Sequence, residues 1–307
     1  MMKGFYDLYH TDHATLLPLS HKLRQHTPQH SKAAVLELPK SCETIYHQNV
    51  FCSSDYDYQW LMQALRNEDD MMSSWGLIPH KKTFKVAFFD MDGTITEKES
   101  MVDLAQRYLS SDLYQEVDAI TRKAMDGQLD FASYMKRKMQ SFEGLKKDAI
   151  GEVAASLRLN KGIRDLTSHL SAALMPSFLV TAGLQSMAIP VVMELQMMGL
   201  LANKAKWQPH PDHHNTYMFT GELQEPLVDA TAKATYVIEK CKHFNYSLHE
   251  AIVVGDGAND ERMAHVAGLA VGYNPKCSLV QHLQVVNRCA HHMFLWDLLV
   301  ASQSIAA

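Results

Sequence analysis

Short apolar runs alternate with helical periodicity over the last two thirds of the chain. The runs lie at residues 84–89 (FKVAFF), 177–180 (SFLV), 251–254 (AIVV) and 269–273 (LAVGY). Runs of this length, rich in branched and aromatic residues, are typical of buried parallel strands. Helical patterns at 189–200, 229–239 and 259–267 lie between them. The alternation predicts an α/β fold with a doubly wound, Rossmann-like parallel sheet, which binds ligands at the carboxyl ends of its strands.

Residues 99–170 interrupt this alternation with a proline-free helical stretch. Segments 101–109 and 131–142 place apolar residues three and four apart, which predicts three or four helices. We therefore predict a helical cap at 99–170, inserted into a core domain formed by residues 83–98 and 171–307.

Residues 1–82 carry a weaker pattern. A short strand is predicted at 33–38, before Pro39, and a helix at 57–66. This helix would carry four apolar residues on one face, namely Trp60, Leu61, Ala64 and Leu65. Lys81 and Lys82 then form a polar hinge. The region is predicted to be a small N-terminal α/β appendage, and its role is unknown.

Composition narrows the class of protein. An apolar fraction of 47% and a net charge of -5 are typical of a globular protein without the basic face that nucleic acids require. No apolar run approaches the roughly 20 residues that span a bilayer, and no secretory signal is visible, so we expect a cytoplasmic chain without membrane or nucleic-acid partners. A homodimer is an open alternative. The histidine clusters are interpreted as surface groups: His10/His13, His210/His213/His214 and His291/His292.

The first candidate for chemistry directly follows the run at 84–89. In Asp90-Met91-Asp92-Gly93-Thr94, the two carboxylates are two residues apart and point to the same side of an extended segment. Asp90 is ionised at neutral pH and can attack phosphorus, while Asp92 can move a proton to and from the reacting oxygens. Taken alone, the motif is also compatible with an ordinary turn.

Two further strand ends carry suitable groups. Thr181 can donate its hydroxyl to a phosphate, beside the backbone N–H groups of Ala182 and Gly183. Asp256 is a candidate second Mg²⁺ ligand beside Asp90, because phosphate-transfer sites bind Mg²⁺ through one or two carboxylates. Asn259 or Asp260 can support the water shell or Lys233, which lies on the predicted helix at 229–239. Three such motifs at one sheet edge favour a phosphate site.

At these residues the chain resembles the haloacid-dehalogenase-like phosphohydrolases, and within them the phosphoserine phosphatases. The matching motifs are DMDGT, VTAG, GDGAND, the lysine segment VDATAKA (228–234) and the cap segment AMDGQLDF (124–131). The resemblance covers roughly residues 84–301 and leaves out the N-terminal 80. It implies an aspartyl-phosphate mechanism that hydrolyses O-phospho-L-serine to serine and phosphate, in serine biosynthesis.

The resemblance also implies a role for each motif residue. Asp90 would be the nucleophile, Asp92 the general acid/base, and Lys233 a phosphoryl-binding catalytic residue. Mg²⁺ would be held by Asp90, Asp256 and the carbonyl of Asp92. The substrate-binding residues would be Glu99, Phe131, Lys138, Thr181, Ala182, Gly183 and Asn259. Glu99 would contact the substrate amine and Lys138 its carboxylate.

Two positions depart from the family pattern. Thr181-Ala182-Gly183 stands where the family usually has Ser-Gly-Gly, and Lys138, with Arg137 beside it, stands where it usually has arginine. Both changes affect substrate identity more than phosphatase chemistry. The alternatives are therefore a phosphatase or phosphotransferase for another small phosphorylated metabolite, or a weakly active relative with a binding role.

Overall fold

A computed structural model describes residues 4–10, 33–36, 45–52, 55–67, 73–125, 130–213 and 215–304. Its strands are β1 (Gly4–His10), β2 (Ala33–Leu36), β3 (Ile45–Cys52), β4 (Trp75–Pro79), β5 (Val86–Phe89), β6 (Ser177–Leu184), β7 (Gly199–Asn203), β8 (Ala205–Pro209), β9 (Tyr217–Leu223), β10 (Ala251–Gly255), β11 (Leu269–Tyr273) and β12 (Val285–Asn287). Its α-helices are α1 (Asp55–Asn67), α2 (Ser100–Tyr108), α3 (Ser111–Met125), α4 (Phe131–Gln140), α5 (Lys147–Ser156), α6 (Ile163–Ala172), α7 (Gln185–Glu194), α8 (Ala230–His243), α9 (Glu261–Val266), α10 (Cys277–Val280) and α11 (Met293–Ala301). Within these residues, no helix is both long enough and apolar enough to cross a bilayer.

A ten-stranded sheet runs through the molecule in the order β2-β3-β1-β4-β12-β11-β10-β5-β6-β7. The six strands from β12 to β7 are parallel, and the four N-terminal strands continue the same sheet in antiparallel register. The predicted α/β class with a doubly wound parallel sheet is confirmed. Strand β5 lies between β10 and β6, so its carboxyl end is near the centre of the parallel part.

The central strands are apolar throughout because both of their faces are covered. Val86 and Phe88 of β5 belong to the apolar cluster on one face of the sheet, and Ala87 and Phe89 to the cluster on the other. Helices α1, α8 and α9 contribute buried residues to the first cluster, and α6, α7 and α11 to the second. Alternation of side chains along each strand divides the core into these two layers.

The N-terminal region is continuous with the core sheet. Strand β4 pairs with β12 through Gly76–Val285 and Trp75–Val286, and Trp75 is fully buried. Helix α1 packs Leu61 and Leu65 into the first apolar cluster. The strand predicted at 33–38 corresponds to β2 and the helix at 57–66 to α1, while residues 37–38 lie outside the described residues. The division of the chain into domains stays a prediction.

Helices α2, α4 and α5 form a third apolar cluster above the sheet. The hairpin β8–β9 joins them, because Phe219 and Leu223 are buried in the same cluster. Residues 207–209, which begin a stretch rich in proline and histidine, belong to strand β8, and Trp207 pairs with Phe219 of β9. Helix α6, at the end of the predicted cap, packs on the sheet through Ile163 and its neighbours.

Two other boundaries also differ from the sequence prediction. Helix α7 ends at Glu194, before a left-handed residue at Gln196 (φ 51°), so the predicted helix at 189–200 is wrong at both ends. Gly199 begins β7 instead, and Leu200 pairs with Leu179 of β6. Because the stretch between α7 and β7 is apolar almost throughout, its periodicity does not show where the helix ends and the strand begins. Pairing with β6 determines this boundary.

Candidate active site

Three strand ends meet at one cavity of about 760 Å³ between the sheet and helices α2, α3 and α4. Asp90 follows β5, Asp256 follows β10, and Thr181 lies in β6. The cavity is lined by ten of the residues predicted from sequence, namely Asp90, Asp92, Glu99, Phe131, Lys138, Thr181, Ala182, Gly183, Asp256 and Asn259. The fold thus brings together groups up to 169 positions apart, from Asp90 to Asn259 (259 − 90).

Lys233 connects two of the acidic groups beneath the cavity. Its Nζ lies 2.5 Å from Asp90 Oδ1 and 2.8 Å from Asp260 Oδ1. Lys233 is fully buried, and both partners are nearly so. Burial lowers the pKa of Lys233, but the carboxylates of Asp260 and Asp90 outweigh burial and hold it above its usual range. The lysine is therefore a permanent cation at this site.

Local sequence explains how Lys233 reaches this position. Asp229 caps α8 by accepting a hydrogen bond from Ala232 N at 2.7 Å, which starts the helix one turn before the lysine. The second oxygen of Asp260 accepts the backbone N–H groups of Asp256 (3.1 Å) and Gly257 (3.3 Å). Asp260 is thus held by the β10 loop while it binds the lysine.

Asp256 and Asp90 approach a common point. One carboxylate oxygen from each of Asp90, Asp256 and Asp260 lies within 4.8 Å of the other two, and all three residues are buried. Burial raises the pKa of Asp90 most, and the negative charge of Asp260 raises it further. Lys233 opposes both effects by lowering this pKa. Lys276 Nζ lies 3.1 Å from Asp256 Oδ2, at the open side of the cluster. Three carboxylates thus face two ammonium groups.

Gly93 allows the two acidic loops to approach. Its φ is 75°, and a Cβ built on it would lie 2.7 Å from Asp256 Oδ2. Gly255 is similarly enclosed, since its Cβ would lie 2.4 Å from Asp260 Oδ2. A side chain at either position would displace a carboxylate of the cluster.

Asp92 lies on the cap side of the cavity. Its Oδ1 accepts Ser100 N (2.8 Å) and its Oδ2 accepts the Ser100 hydroxyl (3.0 Å), at the first residue of α2. Burial raises the pKa of Asp92 to about 6, the Glu99 charge adds to this, and Ser100 and Lys138 oppose it. A carboxyl with this pKa can both give and take a proton near neutral pH.

The segment Thr181-Ala182-Gly183 lies within β6, at a register irregularity between Val180 and Leu184. Gly183 N donates to Thr181 Oγ1 at 2.9 Å, so this N–H group is already bonded. The threonine hydroxyl keeps its own proton for the cavity. Such a bulge changes the direction of side chains at a strand end.

Asn203, which the sequence analysis missed, holds this segment in place. Its side chain donates to Ala182 O (2.7 Å) and accepts from Val228 N (2.9 Å). It therefore connects the end of β7 to the β6 bulge and to Val228, which precedes the N-cap residue of α8. An asparagine at the end of an apolar run was the available sequence signal.

Two residues whose contacts were not predicted from sequence, Asn160 and His292, support the loop after β5. Thr94 O accepts Asn160 Nδ2 at 2.7 Å and His292 Nε2 at 2.9 Å. His292 is buried and stacks on Tyr273 at 4.1 Å, so its interpretation as a surface histidine is wrong. Burial lowers its pKa to about 4, which keeps the ring neutral. His10 is also buried, and His13 and His214 lie outside the described residues.

The cap wall carries the remaining predicted groups. Lys138 Nζ donates to Tyr134 Oη at 3.0 Å, one helical turn away on α4. Arg137, predicted as its companion, is exposed and does not line the cavity. Glu99 Oε1 lies 3.7 Å from Lys276 Nζ, and both side chains are about half exposed (52% and 54%). The cap side of the cavity mouth therefore offers the Glu99 carboxylate together with the Lys138 and Lys276 ammonium groups.

A parallel α/β sheet with an aspartate pair at its central strand end, a buried lysine and an inserted cap defines a hydrolase of the haloacid dehalogenase type. Residues 84–268 match the family of haloacid dehalogenase-like hydrolases. This match covers more than half of the 307-residue chain, and the protein belongs to that family.

Two curated relatives and one solved structure illustrate the likeness. The phosphoserine phosphatase of Idiomarina loihiensis is 29% identical over 191 residues, which are 62% of this chain and 82% of the relative. That of Halobacterium salinarum is 31% identical over 194 residues, 63% of this chain and 88% of the relative. A haloacid dehalogenase family hydrolase from Salmonella enterica serovar Typhi superposes with a TM-score of 0.78 at 18% identity, covering 96% of this chain and 98% of its own. The shared fold thus extends beyond the catalytic core into the N-terminal strands.

Asp92→Asn should stabilise the metal-free protein at alkaline pH. The pKa of Asp92 in the folded protein, about 6, lies above its ordinary value, so the folded state binds the proton more tightly than the unfolded state. The stability of the wild type therefore falls as pH rises from about 4 through 6. The amide stays neutral. Its Oδ1 can still accept from Ser100 N, and its Nδ2 can donate to the Ser100 hydroxyl oxygen, which reverses the direction of the second bond. In EDTA, we expect the variant's Tm to exceed that of the wild type by about 2–6 °C at pH 8 and to match it near pH 4. A difference independent of pH would contradict the burial of this charge.

Proposed function

We propose that this protein hydrolyses O-phospho-L-serine to serine and phosphate through a phosphorylated Asp90. The observation that carries the proposal is the convergence of Asp90, bonded to Lys233 beneath it, and Asp256 on one cavity whose other wall presents Asp92, Glu99 and Lys138. The two curated relatives described above are named as phosphoserine phosphatases, which supports the same substrate.

In the first step, Asp90 attacks the phosphorus of the substrate. Lys233 engages Oδ1 of Asp90, which leaves Oδ2 as the attacking oxygen. The bond from phosphorus to the serine oxygen breaks, and protonated Asp92 gives its proton to that oxygen. Thr181, Ala182 and Asn259 line the cavity. The Thr181 hydroxyl, the backbone N–H of Ala182 and the Asn259 side chain would bind the phosphoryl oxygens. The products of this step are serine and an acyl phosphate on Asp90.

In the second step, ionised Asp92 takes a proton from water, and the water oxygen attacks the phosphorus of the acyl phosphate. This restores the Asp90 carboxylate and protonates Asp92 for the next turnover. The alternating role requires a group whose pKa lies near the working pH, and a pKa of about 6 suits Asp92 to it. Ser100 keeps the carboxyl oriented in both states.

The acidic cluster fits a divalent cation. The oxygens of Asp90, Asp256 and Asp260 lie within 4.8 Å of one another, and the excess of buried negative charge is the environment that Mg²⁺ neutralises. Asp90, Asp256 and the main-chain carbonyl of Asp92 would hold Mg²⁺. Asp260 is already bonded to Lys233 and two backbone N–H groups. Bound Mg²⁺ supplies charge stabilisation for the phosphoryl group.

Substrate selection is assigned to the cap side of the cavity. The ammonium group of phosphoserine needs an anion, for which Glu99 is the candidate, and its carboxylate needs a cation, for which Lys138 is the candidate. Tyr134 holds the Lys138 ammonium against α4, and Phe131 lines the wall beside them. Lysine offers a point charge where arginine would offer a planar fork, so carboxylate binding is expected to be weaker than with arginine.

We infer a cytoplasmic enzyme of serine biosynthesis that acts on a small phosphorylated substrate, without nucleic-acid or membrane partners. The net charge of -5 supports the absence of a nucleic-acid partner. A homodimer stays a prediction, and native mass spectrometry of the full chain would test it.

Asp90→Asn should lower kcat for phosphoserine by at least about 10³-fold, because an amide oxygen is a poor nucleophile. Acid-quenched wild type should carry one phosphoryl group on the peptide that contains residue 90, and the variant should carry none, as measured by mass spectrometry. Asp212→Asn, an exposed aspartate in the β8–β9 loop, is the matched control and should keep wild-type activity. Wild-type turnover by Asp90→Asn would refute the nucleophile.

Asp256→Asn should raise the Mg²⁺ concentration that gives half-maximal activity by at least about tenfold, because a charged ligand becomes neutral. A Mg²⁺ titration of EDTA-treated protein measures this. Recovery of activity at high Mg²⁺ would separate weakened metal binding from structural damage. Full activity of the wild type in metal-free buffer would refute the metal role.

Glu99→Gln and Lys138→Ala should each lower kcat/KM for phosphoserine at least about tenfold more than for p-nitrophenyl phosphate. The reason is that p-nitrophenyl phosphate has no ammonium or carboxylate group for these side chains to bind. Lys138→Arg should keep or increase the preference for phosphoserine. Arg137→Ala removes a neighbouring charge that lies outside the cavity and should leave the ratio of the two substrates unchanged. An unchanged ratio in both Glu99→Gln and Lys138→Ala would reject the amino-acid substrate and leave a phosphatase for another metabolite.

A further inference from the structure

Glu261, His265 and His282 form a cluster outside the catalytic cavity. Glu261 is the first residue of α9, His265 lies one turn later on the same helix, and His282 follows α10. One potential ligand atom from each residue lies within 4.8 Å of the other two. None of the three residues lines the catalytic cavity, and the proposed phosphatase function uses none of them.

The spacing of the cluster matches zinc coordination better than an ion pair. His282 Nε2 lies 3.4 Å from Glu261 Oε1, longer than the roughly 2.7–2.9 Å of a charge-assisted hydrogen bond. Two ligands that bind one zinc ion tetrahedrally, at about 2.1 Å each, are about 3.4 Å apart. These two atoms therefore already have the separation of two zinc ligands.

The backbone orients the second histidine for the same purpose. His265 Nδ1 lies 2.9 Å from the carbonyl oxygen of Glu261. A carbonyl only accepts, so Nδ1 carries the proton and Nε2 keeps a free lone pair. Metal-binding histidines commonly donate their other N–H group in this way, which fixes the tautomer and the ring. The rings of His265 and His282 are neighbours, with centroids 4.6 Å apart.

We propose that Glu261, His265 and His282 bind a transition-metal ion, with Zn²⁺ as the best match. Two imidazole nitrogens and one carboxylate are donors that suit zinc, and a water molecule would complete a tetrahedral site. The catalytic cluster contains only carboxylates and favours a hard ion such as Mg²⁺. The molecule therefore has two metal sites of different chemistry.

A metal at this site would connect two loops that approach the catalytic cavity. Asp260, the partner of Lys233, directly precedes Glu261 at the start of α9. Lys276, the partner of Asp256, directly precedes α10, and His282 follows that helix. A bound ion would hold α9 against the segment after α10, and we expect it to raise the thermal stability of the protein.

The test is Zn²⁺ binding to the full chain in saturating Mg²⁺, measured by isothermal titration calorimetry and by the visible spectrum of Co²⁺ as a zinc substitute. Wild type should bind one more equivalent of Zn²⁺ than the double variant His265→Gln/His282→Gln. Its affinity for that equivalent should be at least about tenfold tighter than that of the variant. Zn²⁺ should raise the Tm of wild type more than that of the variant. Glu261→Gln keeps the shape of the side chain and should weaken the same equivalent.

The matched control is His210→Gln/His213→Gln. These rings are also close, with centroids 4.5 Å apart, but among the described residues they belong to no three-ligand cluster. This control should bind Zn²⁺ as wild type does. The same stoichiometry and affinity in wild type, His265→Gln/His282→Gln and Glu261→Gln would overturn the proposal and leave an ordinary glutamate–histidine contact. If only the control variant lost this equivalent of Zn²⁺, the zinc would bind at the β8–β9 hairpin, and the proposal would also be overturned.

Discussion

The buried ammonium of Lys233 is the constraint on which the site depends. Its fully buried charge would be very costly without compensation, and two carboxylates from the ends of two different strands provide that compensation. Asp90 follows β5 and Asp260 follows the β10 loop, so both strands and α8 must be in place for the charge to be balanced. The same contacts leave one oxygen of Asp90 for chemistry and keep Asp260 from competing with it. Folding and catalytic geometry are thus coupled through one side chain.

Elements far from the cavity support the loop after β5. Strand β12 is covered by the N-terminal strand β4, and the segment after β12 carries His292 to the carbonyl of Thr94. Asn160, from the end of the inserted helices, binds the same carbonyl. The loop after β5 is therefore fixed from both the sheet and the insertion. The N-terminal strands contribute indirectly, because β4 covers the edge of β12, and the segment that carries His292 follows β12.

Asp92 lies where the loop after β5 meets the start of helix α2. Asp92 follows the core strand β5, but both of its hydrogen bonds come from Ser100 at the start of the first cap helix. Its pKa is raised by burial and by Glu99 and lowered by Ser100 and Lys138. Any shift of the cap would change these contacts. The charges of Glu99 and Lys138 and the protonation state of Asp92 are therefore linked electrostatically.

The sequence by itself determined the parallel α/β core and the residues that meet at its edge. Runs such as 84–89 and 251–254 have the length and composition of buried strands, and the parallel arrangement places their carboxyl ends, with Asp90 and Asp256, side by side. Family resemblance, and not periodicity, singled out Lys233 and Lys138, because a lysine on a helix has no local signature of burial. Only the tertiary structure decided that Gly199 begins a strand, that β4 continues the core sheet and that Asn203 and His292 hold the active-site loops. The physical reason is that periodicity along the chain reports which face of an element is buried, whereas pairing between residues such as Thr94 and His292, 198 positions apart, is decided by packing in three dimensions.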